Sequence, residues 1–384
     1  PDAIYPRLWQ EAYNALRFVP YSIIIFFYDI YSHSVLGQPK RSTWDMTTTL
    51  IIALLHAVRY AFQESSISFW RDFLRIPYQL SSTDRYHSAS FFAQKLSLPG
   101  ILQEFDSHED GTRKINAHWL LPLQRVENED DNIILYLHGG GYCMKDWQAY
   151  FTISQSLSEY LNQNIFAVSY SLAPETRFPG ALADAVQAYF HLISMYKVKP
   201  SQIVIVGDSA GGGLAMSLLI YLRDHCYQLP KASILLSIKP WVDLTYGHQS
   251  WLKAEMYDTL PPRPHINALV NPARLYLGPE QYRRLSRHPY ASPLFASNYD
   301  NLPPILIQSG GSETMTDEVR SFADKFAECK NTMSKHEEYE DMIHDFQAYP
   351  IKKARVAFLN MQKWIQFDIK QPKELYCAKK ETVK

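Results

Sequence analysis

From about residue 101 onward, short apolar runs alternate with segments long enough to be helices, and few folds accept that rhythm. The runs are Ile133–Leu137 (IILYL), Ile165–Tyr170 (IFAVSY), Ile203–Val206 (IVIV), Ser233–Ile238 (SILLSI) and Ile305–Gln308 (ILIQ). Each is short and nearly continuous in apolar residues, the pattern of a strand buried on both faces. Helices are expected at about 148–161, 181–195 and 212–224, and later at 316–328 and 351–366. Strands alternating with helices predict an α/β fold, with a mostly parallel sheet covered by helices on both faces. Residues 1 to about 100 differ, reading as helical and aromatic with polar breaks such as 81–84 (SSTD). About 65 residues rich in Pro, Trp and Tyr separate the last two runs, too many for a plain connection, so an insertion over about 241–295 is expected to act as a lid. The chain thus divides into a helical region at 1–100, an α/β domain at 101–370, and a Lys-rich tail at 371–384 that is expected to fray.

Glycine marks where this sheet does its work. The chain has only 15 Gly, about 4% against an average near 7%. Nine of them fall in three segments: Gly139 to Gly141, Gly207 with Gly211 to Gly213, and Gly310 with Gly311. Each segment closely follows a predicted strand, and ligands bind beyond the carboxyl ends of strands in open α/β sheets. A glycine-poor chain has therefore concentrated its glycine along one rim.

The residues among those glycines suggest acyl transfer. Gly207-Asp-Ser-Ala-Gly211 is a G-x-S-x-G between a strand and a helix, a setting that exposes a serine hydroxyl on a tight turn. The alternative is a glycine-rich turn with a solvated serine; a Walker-type phosphate loop lacks its Lys here. His138-Gly-Gly-Gly-Tyr142 follows the strand ending at Leu137, and backbone N–H groups of such a run, with that of Ala210, can converge on an oxyanion. His138 is read as a brace for that loop. A serine hydroxyl needs a base, and the base needs a carboxylate to fix its tautomer. His344 lies beyond the last predicted strand, and Glu313 stands in Gly310-Gly-Ser-Glu313 just after the strand ending at Gln308. Asp317 competes with Glu313 as the acid. Asp341 and Asp345 are read as structural, being close to His344 in sequence.

Composition narrows the remaining possibilities. Lys plus Arg is 38 and Asp plus Glu is 39, so there is no positive excess for binding nucleic acid. Hydrophobic residues at 46% and aromatic ones at 14% permit a large core. Cys143, Cys226, Cys329 and Cys377 are scattered, with neither a C-x-x-C pair nor a disulfide framework. No Asn-x-Ser/Thr sequon occurs, which leans away from a glycosylated secreted protein and favours an intracellular setting. The first residue is Pro rather than Met, so the true N-terminus is expected to lie before it, and whether a signal or anchor precedes Pro1 stays open. Phe18–Tyr28 and Met46–Val58 are apolar but shorter than the ~18–20 residues that span a bilayer, which leaves burial or membrane-surface contact.

Together these motifs resemble the hormone-sensitive-lipase-like carboxylesterases, the HGGG and GDSAGG branch of the α/β-hydrolase fold. The match runs over about 130–366 and includes Tyr170-Ser-Leu-Ala-Pro-Glu175, Phe178-Pro179 with Asp184, and Leu302-Pro-Pro304. Lys239-Pro-Trp-Val-Asp-Leu244 and Ser292-Pro293 also look like fungal members, including steryl-acetate deacetylases. The resemblance implies a Ser209, Glu313, His344 triad, an oxyanion hole from Gly140, Gly141 and Ala210, and a helical cap built partly from the N-terminal region. It implies a serine esterase with no metal or organic cofactor; the aromatic-rich cap and apolar N-terminal stretches suggest a short-chain or acetyl ester of a hydrophobic, lipid- or sterol-like alcohol, with Tyr142 and Trp241 as candidate pocket walls or plain core. A catalytically silent small-molecule receptor on the same fold is the alternative. Association with the endoplasmic reticulum membrane and the oligomeric state stay open. Family members more often carry Asp where Glu313 stands.

Overall fold

The structure, a computed structural model, describes residues 8–62, 65–79, 85–123, 132–144, 146–235, 240–252, 258, 260, 263–265, 268, 270–371 and 379–384. Three helices come first: α1 (Leu8–Ser34), α2 (Met46–Ala61) and α3 (Ile67–Gln79). Strands β1 (Tyr86–Ser88) and β2 (Phe91–Phe92), helix α4 (Gln103–Ser107) and β3 (Lys114–Leu120) lead into the alternating part. There β4 (Ile133–Leu137), α5 (Phe151–Leu161), β5 (Asn164–Ser169), α6 (Gly180–Ser194), β6 (Ile203–Gly207), α7 (Ala210–Asp224) and β7 (Ala232–Leu235) follow in turn. Short helices α8 (Pro272–Leu277) and α9 (Tyr282–Leu285) lie in the long connection to β8 (Ile305–Gly310). The chain ends with α10 (Thr316–Asp324), β9 (Ser334–Tyr339), α11 (Lys352–Gln366) and β10 (Lys379–Val383).

One sheet collects the strands. Its parallel part runs β5–β4–β6–β7–β8–β9–β10, and β3 extends it antiparallel on β5, with β1 and β2 antiparallel on β3. Alternation along each strand sorts side chains into two cores. Leu135, Leu137, Ile203, Ile205, Ile305 and Ile307 join the helix-side residues of α6, α7 and α10 on one face. Ile134, Tyr136, Val204, Val206 and Leu306 meet α5 and α11 on the other. With both faces covered, the apolar runs must be continuous, which is why they are visible in the sequence.

Two expectations need correction, and two strands went unread in the sequence. The first hundred residues are not all helical, since β1 and β2 pair with β3 and bring the sheet's start back to Tyr86. β3 went unread: its burial alternates, but His118 and Asn116 dilute the apolar signal. β9 (SKHEEY) is polar throughout yet buried, because its charges are paired inside the fold. Lys335 Nζ lies 2.6 Å from Glu337 and 3.0 Å from Glu381. That second pair also explains the tail: residues 379–383 form an edge strand on β9 instead of fraying. The expected strand residues 236–238, the loop at 81–84, Cys377 and parts of the 241–295 insertion lie outside the described residues.

Helices α1 and α2 pack antiparallel, with His33 Nδ1 2.6 Å from Thr49 Oγ1 and the Tyr21 and Tyr60 rings 4.9 Å apart. The outer face of α1 is left apolar and open: Trp9, Tyr13, Leu16, Ile24, Phe27 and Tyr28 are each more than half exposed. Leu54 of α2 is also more than half exposed. Among the described residues no helix is long and apolar enough to cross a membrane.

Candidate active site

Ser209 directly precedes α7, two residues past the end of β6, held at φ 48° and ψ −118°. Such a left-handed turn for a non-glycine residue is strained and persists because its surroundings hold it. The Trp241 N–H donates to the Ser209 carbonyl at 2.8 Å, and the Gly213 N–H does so at 3.1 Å. Gly211 has to be glycine here, since a Cβ would be driven into the carbonyl oxygens of Leu137 and His138. That close approach sets the serine turn against the glycine loop after β4.

Asp208 locks the two together. Its Oδ1 accepts from Tyr136 Oη at 2.6 Å and its Oδ2 accepts from the Gly139 N–H at 2.7 Å. Tyr170 Oη donates to the His138 carbonyl at 2.5 Å, and its ring stacks on His138 at 4.3 Å. His138 Nδ1 lies 2.8 Å from the Gly139 carbonyl, the bracing position expected of it. The loop is thus pinned on both sides of its glycines. Among the described residues no acceptor takes the N–H groups of Gly140, Gly141 or Ala210, which leaves them able to donate to an oxyanion at the serine.

His344 reaches this corner from the loop after β9. Its Nε2 lies 3.2 Å from Ser209 Oγ and its Nδ1 lies 3.1 Å from Glu313 Oε2. Ser209, Glu313 and His344 are 7%, 2% and 2% exposed, so the three polar groups meet in a nearly dry site. The second Glu313 oxygen accepts from the Gly310 N–H at 2.5 Å, which orients the carboxylate. Gly310 has no room for a side chain: a Cβ would strike the Met342 carbonyl of the histidine loop. Asp317, the competing acid, faces elsewhere; its Oδ2 accepts from the Ser250 N–H at 3.0 Å and its Oδ1 lies 4.0 Å from Arg320.

Asp345, read from the sequence as structural because it is too near His344 to orient it easily, does approach the ring: its backbone is left-handed at φ 61°, and its Oδ1 lies 3.0 Å from His344 Nε2. Burial by itself would lower the His344 pKa; Asp345, Glu313 and Asp258 outweigh it and push it up to about 9.

Sequence reasoning missed Asp258, which lies in the insertion and is fully buried. Its Oδ1 accepts from the His344 N–H at 3.0 Å, while its Oδ2 accepts from the Thr314 N–H at 2.8 Å and Oγ1 at 2.9 Å. One carboxylate so ties the acid loop to the histidine loop. No local motif marks it. The N-terminal helices were also underread. Trp44 Nε1 donates to the Asp341 carbonyl at 2.9 Å, and Arg59 Nη1 donates to the Leu260 carbonyl at 2.8 Å. Arg71 Nε donates to the Cys143 carbonyl at 2.8 Å and pairs with Glu175 at 2.7 Å.

Tyr142 and Trp241 are 1% and 4% exposed. Tyr142 stacks on Tyr276 at 3.9 Å, with the Trp241 ring 6.1 Å away, so both pack behind the glycine loop and the serine. Cys143, Cys226 and Cys329 are free thiols. Among the described residues no cluster of three or more His, Cys, Asp and Glu side chains could hold a metal ion.

Known proteins resemble this chain in sequence and fold. A family described as the alpha/beta hydrolase fold matches residues 134–348. An acetyl-hydrolase of Streptomyces hygroscopicus is 33% identical over 233 residues, 61% of this chain and 73% of that protein. An esterase of Acinetobacter venetianus is 30% identical over 217 residues, 56% of this chain and 68% of that protein. Among solved structures, an esterase from the bacterial hormone-sensitive lipase family superposes with a TM-score of 0.66 at 26% identity, covering 83% of this chain and 97% of the other.

Proposed function

Since the chain belongs to the alpha/beta hydrolase family and is a hormone-sensitive-lipase-like carboxylic-ester hydrolase, we propose that it cleaves short-chain esters of a hydrophobic alcohol through an acyl-enzyme on Ser209. The observation that carries this reading is the line Ser209 Oγ, His344 Nε2, His344 Nδ1, Glu313 Oε2, with gaps of 3.2 and 3.1 Å at its ends. In the proposed sequence His344 accepts the Ser209 proton as Oγ attacks the acyl carbon. The resulting oxyanion is held by the Gly140, Gly141 and Ala210 N–H groups, each such donor being worth about 3 kcal/mol of barrier. His344 then gives its proton to the departing alkoxide, and water repeats the attack on the acyl group.

Short acyl groups are favoured by likeness to a protein named acetyl-hydrolase. A hydrophobic alcohol, a sterol acetate or a short-chain acylglycerol, is favoured by the aromatic insertion and the apolar N-terminal helices. Hydrolysis of p-nitrophenyl esters from acetate to palmitate tests both parts. The rate is expected to be highest on acetate and to fall with chain length. A rate that climbs toward palmitate overturns the short-chain reading. A folded protein inert on every ester favours the receptor alternative, which ligand-binding calorimetry would then detect.

The open apolar face of α1 and α2 supports contact with a lipid surface, where such esters partition. The protein is expected to sediment with phosphatidylcholine vesicles. Recovery in the supernatant at all lipid concentrations argues against that contact.

A further inference from the structure

Two carboxylates meet the His344 ring at its two nitrogens. Glu313 Oε2 is 3.1 Å from Nδ1, and Asp345 Oδ1 is 3.0 Å from Nε2, nearer than Ser209 Oγ at 3.2 Å. Asp345 holds a left-handed backbone (φ 61°, ψ 24°) that Asp and Asn tolerate better than most residues. It is 6% exposed, so little water screens it from the ring. Nε2 is the atom that has to lack a hydrogen before it can take the Ser209 proton.

Resting on the reading of Ser209 as nucleophile and His344 as its base, we propose that Asp345 is a further catalytic residue whose carboxylate retains a proton on Nε2 and so limits the reaction at neutral pH. In the protonated site the ring donates Nδ1–H to Glu313, and its positive charge pairs with the Asp345 carboxylate 3.0 Å from Nε2. Loss of the Nε2 proton to solvent leaves a lone pair there, and that lone pair accepts the Ser209 proton as Oγ bonds to the acyl carbon. Asp345 then stabilises the imidazolium until Nε2 passes the proton to the leaving oxygen as the C–O bond breaks.

The groups around the ring favour the charged form. Glu313 faces it from the turn after β8, Asp258 from the insertion, and Asp345 from its own loop. The phenols of Tyr136 and Tyr349 stand near Asp345, with Asp208 behind Tyr136. His56 and Arg59 of α2 face Asp258, and His56 is kept low, at about 4, by burial and by Arg59 and Lys40. Asp345 raises His344 through its charge, Glu313 through both a hydrogen bond and its charge, and Asp258 through its charge.

Asp345→Asn keeps the size and the left-handed backbone while removing the charge. A base works only when deprotonated, so kcat/KM rises with pH through its pKa, which here places the acid limb at about pH 9. In the Asn variant that limb is expected to move down by about one unit or more, with kcat/KM at pH 7 rising about tenfold per unit moved. A purely structural residue would change the level at every pH and leave the midpoint in place. An unmoved limb overturns the proposal. Asp345→Gly, unstrained at this φ, serves if the Asn protein does not fold. Ser209→Ala in the same assay separates the two claims. Turnover that survives it removes the nucleophile reading, and Asp345's role with it. An unmoved limb beside an inactive Ser209→Ala protein removes Asp345's role alone.

Discussion

Ser209→Ala is expected to lower kcat for a p-nitrophenyl acetate substrate by about four orders of magnitude or more, with the fold intact. Oγ is the only atom removed, and its hydrogen-bond partner among the described residues is His344 Nε2 at 3.2 Å. The elbow itself does not depend on the hydroxyl. Its φ of 48° is no harder for Ala than for Ser, and the bonds that hold it run to the Ser209 carbonyl from Gly213 and Trp241. Without Oγ no acyl-enzyme forms, so what remains is hydrolysis by a water molecule beside the glycine loop. Kinetics with the unchanged circular dichroism spectrum as control decide the matter. Activity within tenfold of the natural chain would place the nucleophile elsewhere.

Glu313→Gln is the second large effect, a loss of about a thousandfold or more in kcat, set against Asp317→Asn, which should stay near the natural rate. Glu313 Oε2 accepts the Nδ1 hydrogen of His344, so that Nε2, once it has lost its own proton, can act as base. A Gln amide turned the wrong way donates to Nδ1, puts the hydrogen on Nε2 and blocks that role. It also loses the charge that steadies the imidazolium during attack. Asp317 is half open to solvent beside Arg320 and bonds the Ser250 backbone, so its charge is spent on holding the insertion. Equal losses in the two variants, or none in Glu313→Gln, would reject Glu313 as the acid.

Several features of the site were readable before any coordinates. The Gly207–Gly211 motif is visible because close backbone approach demands glycine, and Gly211 lies against the carbonyls of Leu137 and His138. The buried strands are visible because a parallel strand covered on both faces has to be apolar along its length. Where burial is achieved by pairing charges, that signal vanishes. β9 reads as a polar loop until Lys335 meets Glu337 and Glu381, and β10 reads as a tail for the same reason.

What the sequence alone determined was the order of elements, the glycine-lined rim, and the identities of Ser209, Glu313 and His344 as a candidate set. Their backbone settings demand particular residue types at particular places, and such demands leave a local trace. Only the tertiary structure set Glu313 rather than Asp317 against the His344 ring, placed Asp345 near Nε2, and brought Asp258 from the insertion to join the acid and histidine loops. It likewise set Trp44, Arg59 and Arg71 of the N-terminal region against those loops. These choices depend on distances between segments up to about 300 residues apart, and a hydrogen bond over 3 Å of space leaves no periodicity or spacing along the chain.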